Sequence, residues 1–134
     1  MTKLDAIEGI GAAYEEKLKQ ADIASVEALL QMAAARKGRS ELAEQTGIPE
    51  KMILKWANHA DLFRIKGIAG EYAELLEAAG VDTVPELATR KAGNLHARLV
   101  EINESKNLVR RIPVESQVED WIEQAKILPR VMSY

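Results

Sequence analysis

IEGIGAAYEEKLKQADIASVEALL, residues 7–30, and IKGIAGEYAELLEAAGVDTVPELA, residues 65–88, are one pattern written twice. Laid in an ungapped register they pair Gly9 with Gly67, Ile10 with Ile68, Tyr14 with Tyr72, Leu18 with Leu76, Ala21 with Ala79, Ile23 with Val81, Ser25 with Thr83, Val26 with Val84 and Leu29 with Leu87. After a few residues inserted in the second copy the agreement resumes, WANHADL at 56–62 over WIEQAKI at 121–127, so that Trp56 meets Trp121 and Ala60 meets Ala125. Glycine and apolar positions agreeing together exceed what shared helical composition produces, and the reading predicts an internal repeat. Its copies run from about residue 4 to 63 and from 64 to 128, which divides the chain into 1–63 and 64–134, the second part carrying a C-terminal helix and tail.

Each copy reads as helices joined by short turns. Tyr14, Leu18 and Ala21 share one helical face. Asp22 and Ile23 interrupt that helix, and Ser25 is placed to cap the next, which carries Val26, Leu29, Leu30 and Ala33. Arg36, Lys37 and Gly38 read as its C-terminal turn, cations at the negative dipole end with glycine beyond. Ser40 then caps a short helix holding Leu42 and Ala43, and Thr46-Gly47-Ile48-Pro49 turns the chain into a helix with Ile53, Trp56, Ala57 and Ala60 on its inner face. In the second copy Thr83 with Glu86, and Ser116 with Glu119, have capping-box spacing, Pro85 suits a first helical turn and Pro129 stops the final helix. The stretch from Leu95 to Pro113 exceeds its counterpart and predicts an extra helical turn or loop.

Composition agrees with an all-α chain. Among 134 residues there are one Phe, three Tyr and two Trp, so Leu, Ile, Val and Ala must build the core, and few runs are β-branched enough for strands. No cysteine is present, which excludes disulfides, zinc–thiolate sites and thiol nucleophiles. The start MTKLDAIEGIG lacks the apolar run of a signal peptide, and no segment approaches the roughly 20 apolar residues of a bilayer span, so a cytoplasmic protein without a membrane partner is expected. The net charge of −3 counts against a stand-alone nucleic-acid binder, because phosphate contacts supply most of such a protein's affinity, although local patches can outweigh a mild global charge.

The turn Gly9-Ile10-Gly11 lies between a short apolar segment and an amphipathic helix. Its glycines permit a tight turn, Ile10 plugs the core, and N–H groups project at a helix N-terminus, where donors at the positive dipole end can hold a phosphate oxygen. Gly67-Ile68-Ala69-Gly70 is the matching turn. At these residues the sequence resembles the helix-hairpin-helix superfamily. The stretch IEGIGAAYEEKLKQADIASVEALL, followed by SELAEQTGIPEKMILKWA, is similar to the N-terminal domain of archaeal and eukaryotic RecA-type recombinases and to the C-terminal domain of the bacterial RNA polymerase α subunit, with Thr46-Gly47-Ile48-Pro49 as a degenerate second hairpin. Over the whole chain, including LVRRIPVESQVEDWIEQAKILP, it resembles a bacterial domain-of-unknown-function family. The resemblance implies two tandem helix-hairpin-helix units, and these are expected to pack together because a copy of about 60 residues is marginal alone. It implies less about function, since related hairpins bind DNA in some proteins and only protein in others.

Charge separates the two turns. Glu8, Glu15 and Glu16 surround Gly9 and Gly11 and repel a phosphate, whereas Arg64 and Lys66 flank the second turn and favour an anion, despite Ala69 in place of a glycine and Glu71 beyond Gly70. Further basic clusters are Arg36-Lys37-Arg39, Arg90-Lys91 and Arg110-Arg111, which read either as a phosphate-tracking surface or as cations complementing helix C-termini. Trp56 and Trp121, at equivalent positions amid apolar residues, read as core rather than as stacking platforms, and Tyr14 and Tyr72 likewise. His59 and His96 have no ligand set at metal spacing and read as surface or boundary residues. No phosphate-binding loop, nucleophile elbow or metalloprotease motif is present, and adjacent carboxylates such as Glu15-Glu16 point apart on a helix. The expectation is a non-enzymatic binding module with no catalytic residue, cofactor, metal or small-molecule substrate. It binds nucleic-acid backbone weakly and without reading bases, mainly through Gly67–Gly70 with Arg64 and Lys66; the alternative is a protein–protein adaptor or assembly scaffold.

Overall fold

The computed structural model describes residues 1–134. The chain is all-α, without strands: a 3-10 turn at Leu4–Ala6, then α1 (Ala12–Gln20), α2 (Val26–Ala33), α3 (Arg36–Thr46), α4 (Glu50–Leu62), α5 (Gly70–Ala78), α6 (Val84–Ala88), α7 (Ala92–Lys106) and α8 (Glu115–Ile127). It divides into two compact units, Met1–Asp61 together with Val131–Tyr134, and Leu62–Arg130. The segment 131–134, which the sequence reading left with the second part, lies in the first unit because its polar contacts are made there.

In the first unit α1 starts at Gly11 and ends where the Asp22 amide donates to the Lys19 carbonyl (3.0 Å) and the Ile23 amide to the Leu18 carbonyl (2.9 Å). That pair of bonds is a Schellman cap, which requires a left-handed residue between them. Asp22 supplies it with φ 65. Ser25 caps α2 as its spacing predicts, its hydroxyl accepting from the Ala28 amide at 3.1 Å. Thr46-Gly47-Ile48-Pro49 forms the turn between α3 and α4, with Gly47 at φ 76 and its amide bonded to the Ala43 carbonyl. Trp56 is buried, its ring edge-on to Tyr14 at 5.1 Å between centroids.

The boundary between α2 and α3 corrects the sequence reading. Arg36, Lys37 and Gly38 do not close α2; they open α3, whose cap residue is Ala35, and Ser40 lies inside that helix. Gly38 allows it, because a Cβ there would collide with the carbonyl of Met32 in α2. The cation at the end of α2 is instead Arg39, whose guanidinium donates to the carbonyls of Ala33 (2.9 Å) and Ala34 (3.0 Å). The electrostatic logic holds, but a buried side chain from the next helix carries it out.

In the second unit α8 packs on α6 and α7, and α5 on α7. Here α5 ends with the Gly80 amide on the Glu77 carbonyl (2.9 Å) and the Val81 amide on the Leu76 carbonyl (2.8 Å), with Gly80 at φ 89. Trp121 is buried with its ring 5.3 Å from that of Tyr72, so both tryptophans belong to cores, as their spacing indicates. The longer stretch before Pro113 is an extended α7, closed by Asn107 in the left-handed region and by Asn103, whose side-chain amide pairs with both polar backbone groups of Val109. Two caps differ from expectation. Thr83 stands at the cap of α6 but its hydroxyl makes no cap bond, and Glu86 pairs with Arg90 instead. α8 begins two residues before Ser116 would place it, with Val114 as cap and the Gln117 side chain accepting from the Val114 amide. His59, read from the sequence as a surface or boundary residue, is instead fully buried, as is Asp61.

Candidate nucleic-acid interface

Both glycine turns are built alike. In the first, Gly9 has φ 97, the Ile10 amide donates to the Ile7 carbonyl at 3.2 Å, and Ile10 is buried. In the second, Gly67 has φ 100, the Ile68 amide donates to the Ile65 carbonyl at 3.2 Å, and Ile68 is buried. Each turn leads into a helix without a side-chain cap, α1 from Gly11 and α5 from Ala69. Each glycine also rests on a tryptophan: a Cβ on Gly9 would stand 3.4 Å from Trp56 Nε1, and one on Gly67 2.9 Å from Trp121 Nε1. The turns therefore hold their shape by backbone conformation and by contact with a buried indole.

Several expected donors are already spent. The Lys66 amide donates to Gln124 Oε1 (2.9 Å) while Gln124 Nε2 donates to the Lys66 carbonyl (3.1 Å), so a side chain of α8 engages both backbone polar groups of Lys66. The Ile68 amide is used within the turn. What the second turn presents outward is its exposed residues Gly67 and Ala69 and the uncapped first turn of α5, whose first residue, Gly70, is itself buried. Arg64 is half-buried and donates to the Pro129 carbonyl at 2.6 Å, which makes it first a tether for the end of α8. Lys66 is exposed beside a shallow depression that Asp120, Gln124, Ile127 and Leu128 also line, with Asp120 itself accepting from Gln124. Glu71 is exposed in the first turn of α5 and opposes an anion there.

The remaining cations fall in different places. Arg110 and Arg111 are exposed in the loop between α7 and α8, and the Tyr72 hydroxyl donates to the Arg111 carbonyl at 3.0 Å. Gly67, Trp121, Tyr72 and Arg111 are thus linked in one chain of contacts within the second unit. Arg90 is held by Glu86 and the Gly80 carbonyl, while Lys91 is exposed at the cap of α7. In the first unit Arg36 and Lys37 are exposed, but Arg39 is buried and cannot belong to a basic surface. Around the first turn Gly9, Gly11 and Glu8 are exposed, and the Tyr14 hydroxyl meets Met52 Sδ at 3.8 Å rather than a basic loop. Sequence periodicity missed Gln124 and the Tyr72 hydroxyl, because their partners lie on distant segments that no local pattern connects.

No group of three or more His, Asp or Glu side chains is gathered to hold a metal ion, and no helix is long and apolar enough to cross a membrane. The architecture is that of a small all-α chain of two compact units, each with a glycine turn braced on a buried tryptophan. The chain belongs to the family described as Domain of unknown function (DUF4332), whose model matches residues 8–128. No curated protein and no solved structure matches it.

Proposed function

We propose that the chain is a tandem of two helix-hairpin-helix units and that its second hairpin binds the sugar–phosphate backbone of nucleic acid weakly, without reading bases. The tandem reading is supported by the matched turns at Gly9 and Gly67, the matched Schellman caps around Asp22 and Gly80, and the paired Tyr14–Trp56 and Tyr72–Trp121 contacts. One observation carries the binding reading. The Tyr72 hydroxyl, from the first turn of α5, donates to the Arg111 carbonyl and ties the Arg110-Arg111 loop to that helix, and this supports grouping two exposed arginines and Lys66 with a helix start that no side chain caps.

Fluorescence anisotropy on labelled single- and double-stranded DNA at low salt tests this. Neutralising about three phosphates makes affinity for duplex fall about 40-fold between 50 and 200 mM salt. Lys66→Glu with Arg110→Glu should abolish binding and leave helix content unchanged. Arg64→Glu is a poorer probe, because it severs the tether to Pro129. Binding unaffected by the double substitution refutes the reading. A second reading, a protein adaptor, is favoured by a separate observation: the first unit holds the segment Val131–Tyr134, which is neither helix nor strand, through Ala34, Arg39 and Asn58.

A further inference from the structure

Val131–Tyr134 has no helical or strand structure of its own, yet it is anchored at every residue after Val131. Met132 is 1% exposed and forms part of the first unit's core. The Ser133 amide donates to the Ala34 carbonyl at 2.8 Å, and its carbonyl accepts from the Arg39 guanidinium at 2.8 Å. The Tyr134 ring lies over that guanidinium, 5.5 Å from its centroid, and its hydroxyl donates to Asn58 Oδ1 at 2.9 Å. An aliphatic side chain in a pocket, a main-chain pair on both sides of a small residue and a stacked aromatic are the elements by which grooves recognise extended peptides.

Arg39 is what makes the seat available. Its guanidinium sits at the end of α2 and is fixed there by the Ala33 and Ala34 carbonyls, so its remaining donors point at whatever lies alongside. Because those two bonds come from the unit's own backbone, the hub is preorganised and keeps its place when the segment leaves. Beside Tyr134 lies an open depression of about 350 Å³ lined by Arg36, Arg39, Glu50, Lys51, Leu54 and Tyr134. Two exposed cations, Arg36 and Lys51, against one exposed carboxylate, Glu50, favour acidic residues there.

We infer that this groove is a peptide-docking site, occupied in cis by Val131–Tyr134, and that it takes an extended partner segment of the pattern aliphatic–small–tyrosine–acidic. The inference rests on the adaptor reading and is independent of the second unit's hairpin. The partner must displace the resident segment. At an effective concentration of about 1 mM for the tethered segment, against a dissociation constant on the order of 0.1 mM, the resident weakens binding in trans about tenfold.

The test uses the full chain and a fluorescein-labelled peptide, Arg-Val-Met-Ser-Tyr-Asp-Glu. Met132→Ser empties the pocket and should bind the peptide saturably, about tenfold more tightly than the unsubstituted chain does. Lys-Lys in place of Asp-Glu in the peptide should weaken binding several-fold, and Lys51→Glu should erase that difference. Absence of saturable binding to a folded Met132→Ser chain overturns the proposal, as does equal binding to both chains. Should Met132→Ser lose its helix content, hydrogen exchange of the unsubstituted chain decides: the Ser133 amide should exchange at least about 100-fold faster than the α4 core amides, since a displaceable segment opens locally. A Ser133 amide as protected as the core overturns it, and so does self-association with that amide protected, which assigns the groove to a second copy. Loss of DNA binding bears only on the hairpin, so the two readings fail separately.

Discussion

Substituting alanine for Gly67 should cost far more than the same change at Gly9, although the two glycines share a conformation. At φ 97 and φ 100 both lie where an L side chain is strained, which costs about 1–3 kcal/mol. The gain from restricting the unfolded chain, about 0.4–1 kcal/mol, is common to both and cancels in the comparison. The surroundings differ. The new Cβ at Gly9 would sit 3.4 Å from Trp56 Nε1, an ordinary contact, whereas at Gly67 it would sit 2.9 Å from Trp121 Nε1, and something must move. Trp121 is 2% exposed and its ring is tilted against that of Tyr72, so it has little room, and overpacking of this kind costs about another 1–3 kcal/mol. Net of that gain, Gly67→Ala should lose about 1–5.5 kcal/mol and Gly9→Ala about 0–2.5 kcal/mol. Urea unfolding followed by circular dichroism measures the totals. Fluorine NMR of 5-fluorotryptophan, with Trp56 in one unit and Trp121 in the other, tells which unit has responded. A cost at Gly9 equal to or above that at Gly67, or no cost at either, refutes the reasoning about the turns.

Asp22→Gly should stabilise the chain by about 0.5–1 kcal/mol, because a left-handed cap residue with a Cβ is replaced by one without, as Gly80 already is; a lower melting temperature contradicts this. Gly38→Ala should cost at least about 3 kcal/mol, since its Cβ would fall on the Met32 carbonyl and the backbones of α2 and α3 must separate; chemical denaturation measures it, and a neutral outcome sinks the close-approach account. Glu27 accepts from the Thr2 amide (2.9 Å) and hydroxyl (2.8 Å), and the amide bond is the leading cause that holds its carboxyl below the usual range. Its stabilisation is complete above the unfolded carboxylate pKa and disappears as pH falls through the lower folded value, so Glu27→Gln should be less stable than the parent at pH 7, and the gap should shrink as pH falls below 4.5. A stability gap that does not shrink on acidification contradicts the assignment.

Much of the helix plan is legible because it is local. Ser25 before Val26, Thr46-Gly47-Ile48-Pro49 between α3 and α4, and the two tryptophans at core spacing each follow from residues within a turn or two. The misreadings fall where the partner is distant. RKGRS looks like a helix end by charge and glycine content, yet Gly38 is there for the approach of Met32, and Arg39 is buried because the far segment at Ser133 closes over it. Arg64 reads as a phosphate ligand until Pro129 takes its guanidinium, and the Lys66 amide reads as an outward donor until Gln124 takes it. Thr83 with Glu86 has the spacing of a capping box, but Arg90 one turn on competes for the carboxylate.

Amide NMR of the full chain, titrated with an unlabelled DNA oligonucleotide at low salt, tests the central claim most directly. If the second hairpin holds the backbone, shifts should concentrate in the turn from Lys66 to Tyr72 and in the Arg110-Arg111 loop, and should reverse as salt is raised, while Gly9, Gly11 and the start of α1 stay in place. Shifts centred on Gly9 and Gly11, or none at millimolar DNA, would contradict the account.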